Sequence, residues 1–409
     1  MISINKAYFW ILLWMTFALV ISPKMVTFAD EFGALLMLVV MFLDIVLNRQ
    51  WARYKCVYLL FGIMAFYAAY SMYAVHYNNT RAIALDWLLE QKPFLPFFFT
   101  MAIKPRLTEA QKSVIRAVCV VLTVVLILIF LSGTTLKLLH HVMYIGSSCY
   151  MMALICAVCS VNPRTNTIPQ KHLILCVFIL CVGLLSTRSK YYGEFVLALA
   201  MLIFYKPSMF KGFKPIYLVA MLLVAGAVVL VAWTKIEYYF FNTEFLNSEE
   251  RVQNFARPAL YYGAFCLLLI HPIFGSGLAS FASFASTTSV NYSLAYAKVG
   301  LDKVWGLSPT FDDFICDAFY PTLAQFGIVG IVLIVWLYVW IVRKTRVLRD
   351  NNGSKLYAVG LLCVCYIAIQ NVAATSLMQS DGMYSMMILG LIAGESLRKE
   401  QENKTKETI

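Results

Sequence analysis

Apolar runs close to twenty residues long recur along almost the whole chain, and no other feature limits its fold so strongly. A helix needs about 20 residues to cross the roughly 30 Å hydrocarbon core of a bilayer. Runs of that order occur at Ala7–Pro23, Phe32–Leu47, Cys56–Val75, Ala82–Ile103, Val114–Ser132, Val142–Ser160 and Leu173–Thr187. Others follow at Glu194–Tyr205, Ile216–Trp233, Phe319–Val342, Leu356–Ala374 and Met383–Leu397. The run at Glu194 is short and gains length by starting at Tyr191. Pro93 and Pro96 fall in the fourth run, where a missing N–H kinks a helix. A further run, Ala259–Ile270, has a length of about 12 residues, which suits an interfacial segment better than a span.

Charge decides whether that short run crosses. With the N-terminus in the cytoplasm, alternate loops hold Arg49, Arg53 and Lys55; Lys104, Arg106 and Lys112; Arg164 and Lys171; and Lys206, Lys211 and Lys214. Inner loops of membrane proteins collect Lys and Arg. The next basic loop, Arg343 to Arg349, is cytoplasmic only if Ala259–Ile270 does not cross. The sequence therefore predicts an all-α polytopic membrane protein with about 12 transmembrane helices and both termini cytoplasmic. Residues 1–398 form a single transmembrane domain. An external loop over about 234–318 carries a short surface helix, and the polar tail 399–409 reads as disordered.

Of the 409 residues, 61% are hydrophobic and 13% charged, against about 25% charged in a soluble domain. The net charge of +12 does not point to nucleic acid, because the basic residues are scattered between apolar runs. Eight of the cysteines lie inside apolar runs, including Cys156 and Cys159, whose CxxC has no partner pair for a zinc or redox site.

Charges on the external side are scarcer. Ser186-Thr187-Arg188-Ser189-Lys190-Tyr191-Tyr192-Gly193 joins two spans by a tight polar connection. Two cations this close to lipid need an anion, and a guanidinium suits phosphate because its planar fork donates two parallel hydrogen bonds. Snorkelling or pairing with Glu194 is the alternative. The second cluster is Arg251 and Arg257-Pro258, then the short helix, then His271-Pro272 and Gly275-Ser276-Gly277. Arg257 sits by a helix N-terminus, which also favours anions. Arg251 could instead pair with Glu249 or Glu250, the glycines could form an ordinary turn, and His271 reads as a helix-end residue. The third cluster is Asp312, Asp313 and Asp317, which could deprotonate a hydroxyl or simply be solvated. No metal-ligand motif accompanies them.

In this order the three clusters resemble the O-antigen polymerase and ligase superfamily of membrane glycosyltransferases, Wzy-like and more distantly WaaL-like. The matching pieces are Ser186–Gly193; Arg257-Pro258-Ala259-Leu260-Tyr261-Tyr262 followed by Pro272, Gly275, Gly277 and Phe281; and Asp317-Ala318-Phe319-Tyr320 leading into Leu323, Gly327 and Gly330. The resemblance covers roughly 173–333. It implies a GT-C-like enzyme of the bacterial cytoplasmic (inner) membrane, active on the periplasmic or external face. Such an enzyme transfers an O-antigen or capsule repeat unit from undecaprenyl diphosphate to another lipid-linked repeat, with inversion and without metal or other cofactor.

In that scheme Arg188, Lys190, Arg251 and Arg257 hold the diphosphate, and Asp317 and Asp313 join Arg188 as catalytic residues. Tyr191, Tyr192, Gly275, Gly277, Asp312 and Tyr320 are candidate glycan contacts. Implied partners are the undecaprenyl-diphosphate-linked oligosaccharide, membrane lipid, a chain-length regulator and a flippase. Ligases of the superfamily carry a histidine-asparagine pair where this chain has Cys316-Asp317, which favours a polymerase. A ligase and a flippase or transporter for lipid-linked oligosaccharides are the alternatives.

Overall fold

A computed structural model of the chain describes residues 3–21, 26, 28–139, 141–162, 165–205, 256–316, 318–350, 354–372 and 374–407. Among them there is no strand, only an isolated bridge between Ser308 and Phe311. The main helices are α1 (Ile4–Ile21), α2 (Ala29–Asn48), α3 (Lys55–Tyr70), α4 (Thr80–Gln91), α5 (Phe94–Ile103), α6 (Glu109–Leu131) and α7 (Met143–Ser160). They continue as α8 (Gln170–Gly183), α9 (Ser189–Phe204), α10 (Ala256–Ile270), α11 (Gly327–Asp350), α12 (Lys355–Gln370) and α13 (Ser380–Glu407).

Five segments are long and apolar enough to cross a membrane: Ile4–Ile21, Trp51–Val75, Glu109–Leu131, Met143–Ser160 and Gly327–Arg349. The remaining expected runs fall short for visible reasons. Pro93 divides the fourth run into α4 and α5, and Pro96 then sits in the first turn of α5, whose N–H groups need no intrahelical partner. Helices α9 and α12 have 16 residues each, and α2 carries Asp30, Glu31 and Asp44. The run Ile216–Trp233 lies outside the described residues. The tail differs from expectation: α13 stays helical to Glu407, with Lys344 reaching Glu400 at 3.5 Å and Lys404 meeting Glu400 four residues earlier.

The exterior is that of a helical membrane protein. On α2, Leu35, Val39, Phe42 and Val46 are all exposed at helical spacing, and on α6 so are Val114, Val121, Val124 and Leu128. In water such apolar outer stripes would be polar. The core centres on α7, where Cys149 through Ala157 have no exposed surface, packed among α1, α6, α8, α12 and α13.

The helices have two distinct ends. At one, Arg106 N meets Asn5, Arg398 reaches Lys104 O, Lys355 N donates to Asn166 O, and Lys355 Nζ donates to Leu202 O at 2.8 Å. Arg116 there donates to Cys159 O at 2.6 Å. The described stretches around Lys104–Lys112, Asn166–Lys171 and Lys355, with Arg398, therefore converge on a single end. At the opposite end, Lys92, at the α4–α5 break, pairs with Asp30 at 2.8 Å and Glu31 at 2.6 Å. Helix α10 lies across that end and does not run through the bundle. Near its start Tyr261 reaches the segment after α12, and just past its end His271 Nε2 meets Tyr77 Oη at 2.9 Å in the connection after α3.

Beneath α10, a small-residue segment is held through its backbone. Every N–H from Ser276 to Ser283 has a partner: Ala324 O, Gln325 O, Ser71 Oγ, Asp86 Oδ2, Gln325 Oε1 (twice), Tyr296 Oη and Ser286 Oγ in turn. A buried backbone without a sheet or helix requires such side-chain partners. Gly275 (φ +76°) and Gly277 (φ +82°) admit the bend, and a Cβ on Gly275 would strike the backbone at Ala324 and Gly327. Gly275→Ala is expected to lower thermal stability in detergent by about 2 kcal/mol or more through strain and overlap. Gly300→Ala, with similar φ but open space around it, should cost clearly less. Equal losses would show that the close approach at Gly275 contributes nothing.

Candidate functional site

The last carbonyls of a helix have no intrahelical donors, and at α12 these carbonyls gather the three polar clusters. Asn371 Nδ2 donates to Ile367 O at 2.7 Å. Tyr320 Oη donates to Ala368 O at 2.9 Å, Val372 N to Ile369 O at 3.4 Å, and Lys190 Nζ to Gln370 O at 3.4 Å. One turn outward, Tyr261 Oη donates to Val372 O at 2.7 Å, and Thr375 Oγ1 donates to Cys316 O at 2.5 Å. The α9 start, helix α10, Cys316 and Tyr320 therefore meet around Ala368, Gln370, Val372 and Thr375. Burial pushes the Tyr261 hydroxyl up to about 12, so it remains a donor at neutral pH.

Arg188 caps the start of α9, after Thr187 in the left-handed region at φ +51°. This tight turn leaves the guanidinium exposed, with Nη2 at 2.5 Å from His141 Nε2 just before α7. Tyr191 points the other way. It is 2% exposed, and its hydroxyl donates to Leu180 O at 2.7 Å. Its ring fills the space left by Gly146 and Gly183, where any Cβ would collide with it. The proposed glycan contact at Tyr191 is thus replaced by a packing role. Glu194 does not pair with Arg188. It is wholly buried and accepts from Gln370 Nε2 at 2.7 Å, while its Oε2 has no hydrogen-bond partner.

The other expected residues divide. Arg257 is exposed on the first described turn of α10, one turn before Tyr261 and so on the same side of the helix. Tyr192 is 38% exposed beside Arg188 in sequence. Tyr320 belongs to the α12 cap. Gly275 and Gly277 are backbone-bend residues in a buried segment, with Ser276 1% exposed, so the ordinary-turn reading replaces the glycan one. Asp312 accepts from Thr288 N at 2.6 Å, and Asp313 is exposed. Asp317 and Arg251 lie outside the described residues, as do Glu249 and Glu250. Cys316, the residue before Asp317 in sequence, accepts from Thr375 Oγ1.

Sequence reading missed His141, Gln370 and a cavity beside them. This cavity, of about 200 Å³, is lined by Asp30, Glu31, Lys92, Tyr144, Ser147, Ser148, Gln379 and Asp381, among others. Asp381 is 5% exposed and accepts from Tyr366, which lies one turn before Gln370. Tyr144 N donates to His141 O at 3.3 Å, so one wall residue of the cavity stands a single turn from the His141–Arg188 contact. Lys92, Glu194 and Asp381 are ionisable side chains buried among the helices, the kind of residue that marks intramembrane function. Among the described residues, no group of three or more His, Cys, Asp or Glu side chains could hold a metal ion.

Compared with protein-family models and with curated proteins, the sequence matches none. Lys190→Met, which uncaps Gln370 O, should raise hydrogen–deuterium exchange across residues 368–381. Protection equal to wild type in that segment would show that Lys190 does not hold it.

Proposed function

We propose that the chain is a polysaccharide polymerase that transfers a glycan repeat from undecaprenyl diphosphate to a second lipid-linked repeat. The observation that carries this reading is the convergence of the Arg188 turn, helix α10, and Cys316 with Tyr320 on the C-terminal end of α12. These are the three pieces in which the sequence resembles the polymerase and ligase superfamily. Arg188 and Arg257 expose cations at that end, suited to a diphosphate at the membrane boundary. Lys190 lies beneath them against Gln370.

The chemistry is an inverting displacement. The acceptor hydroxyl oxygen attacks the anomeric carbon and the new C–O bond forms. The bond from that carbon to the diphosphate oxygen breaks, and the diphosphate leaves with the electron pair. Cations placed where this charge develops stabilise the transition state. The hydroxyl proton passes to a carboxylate, for which Asp317 and Asp313 are the candidates, with Asp312 held by Thr288 N.

In the membrane we read twelve spans in a GT-C-like arrangement, with the basic end cytoplasmic and the α10 end external. The alternate basic loops and the placement of α10 across one end support that orientation. A flippase for lipid-linked oligosaccharides is the second reading, favoured by the buried ionisable residues Lys92, Glu194 and Asp381 among the helices.

Arg188→Ala is expected to abolish polymer while the protein stays at its normal level in the membrane. Surface glycan then runs as single capped repeats on a gel. Wild-type polymer length and yield in this variant would remove Arg188 from the site. For orientation, a cysteine replacing Leu294, which is 67% exposed, should react with an impermeant maleimide from outside intact cells. Reaction only after the cytoplasmic face is opened would reverse the assignment of ends.

A further inference from the structure

The cavity beside Arg188 has hydrogen-bonding chemistry opposite to that of the arginine site. Its walls hold three carboxylates, of Asp30, Glu31 and Asp381, and one cation, Lys92. Lys92 is 9% exposed and committed to Asp30 and Glu31 at 2.8 and 2.6 Å. An ionised carboxylate accepts hydrogen bonds and donates none. Glu31 Oε2 is shielded from solvent and has no partner, although the side chain as a whole is 37% exposed and so opens the cavity to the outside. Tyr144, Ser147, Ser148 and Gln379 also line it, together with Leu19, Met378 and Ser380.

Such a wall repels phosphate, which offers only acceptors and negative charge. It fits a ligand rich in donors, and a sugar ring presents several hydroxyls around an apolar face that can lie against Tyr144. The volume of about 200 Å³ equals that of six or seven liquid waters at about 30 Å³ each, the scale of one sugar ring. Concave sites with a few convergent polar groups are where small ligands bind.

We infer that this cavity binds the terminal, non-reducing sugar of the acceptor glycan through its hydroxyls, while the neighbouring Arg188 takes the donor's diphosphate. The inference rests on the glycosyl-transfer reading and adds a second, separate substrate site to it. Two links join the sites. His141, bonded to Arg188, leads into the α7 turn that carries Tyr144 and Ser147. Gln370, bonded to Lys190 and Glu194, stands one turn from Tyr366, which holds Asp381.

The test uses the purified full-length protein in lipid nanodiscs and two probes measured by saturation-transfer NMR. One is the water-soluble repeat oligosaccharide freed from its lipid by mild acid, and the other is inorganic diphosphate. Wild type is expected to bind both without competition. Ser147→Leu, which fills the cavity, should weaken oligosaccharide binding at least tenfold and leave diphosphate binding unchanged, whereas Arg188→Ala should do the reverse. Glu31→Gln, on a partly exposed side chain, should also weaken the oligosaccharide and serves if Ser147→Leu fails to fold by thermal unfolding. Unchanged oligosaccharide binding in the folded cavity variants, or its displacement by diphosphate, overturns the cavity assignment alone. Failure of wild type to bind either probe, together with normal polymer in cells lacking the gene, overturns the glycosyl-transfer reading and this inference with it.

Discussion

The C-terminal end of α12 holds the α10 end of the molecule together. Backbone N–H groups of Asn371 and Val372 reach only Ile367 O and Ile369 O there, and an uncapped carbonyl in an apolar setting would cost several kcal/mol. Side chains from distant segments supply the remaining hydrogen bonds. Tyr320 and Lys190, separated by 130 residues of chain, cap carbonyls two residues apart. Tyr261 extends the same pattern to Val372. The helix end also carries partial negative charge, which favours the Lys190 ammonium there. A purely structural requirement thus brings the cationic and acidic segments to one place.

Burial of charge imposes the second constraint. Lys92 enters the interior only because Pro93 ends α4 and turns the chain so that the ammonium meets Asp30 and Glu31. Removing one member of such a pair costs about 3–5 kcal/mol, since the other is left buried and alone. Asp86 has a different solution: it accepts from Ala279 N and so fastens the 276–283 segment. That segment in turn supports α10, whose Gly263 leaves room for the Phe281 ring. The scaffold beneath the site therefore buries a few paired polar groups in an apolar interior and also keeps an apolar exterior, unlike the polar exterior of a soluble helical bundle.

Much of this architecture was legible in the sequence. Helix-length apolar runs predict α1, α3, α6, α7 and α11, because the lipid exterior removes the polar stripe that usually blurs such runs. The surface position of α10 follows from charge parity, and the tight turn at Thr187–Arg188 from its polar residues between two spans. The role of Tyr191 was not legible. Beside Arg188 and Tyr192 it reads as a site aromatic, and only the gaps at Gly146 and Gly183 reveal where its ring goes. Nor was the His141–Arg188 contact, since a histidine 47 residues away carries no local mark of it. The helical tail past Lys399 eluded composition because its stability comes from Lys344 and Lys104, far upstream.

The charge distribution at the α10 end bears on how one face could handle two similar lipid-linked substrates. If both bound through their diphosphates at the arginines, they would compete for the same donors. Here the exposed guanidinium of Arg188 offers hydrogen-bond donors only, and the adjoining cavity offers mainly acceptors. One surface therefore suits anions and the other suits hydroxyls, and like-charge repulsion keeps a diphosphate out of the cavity. Discrimination of this kind depends on adverse contacts as much as favourable ones. On the proposed glycosyl-transfer reading, the diphosphate and the sugar of a single substrate class would go to different places, which is the arrangement that head-to-tail growth of a glycan requires.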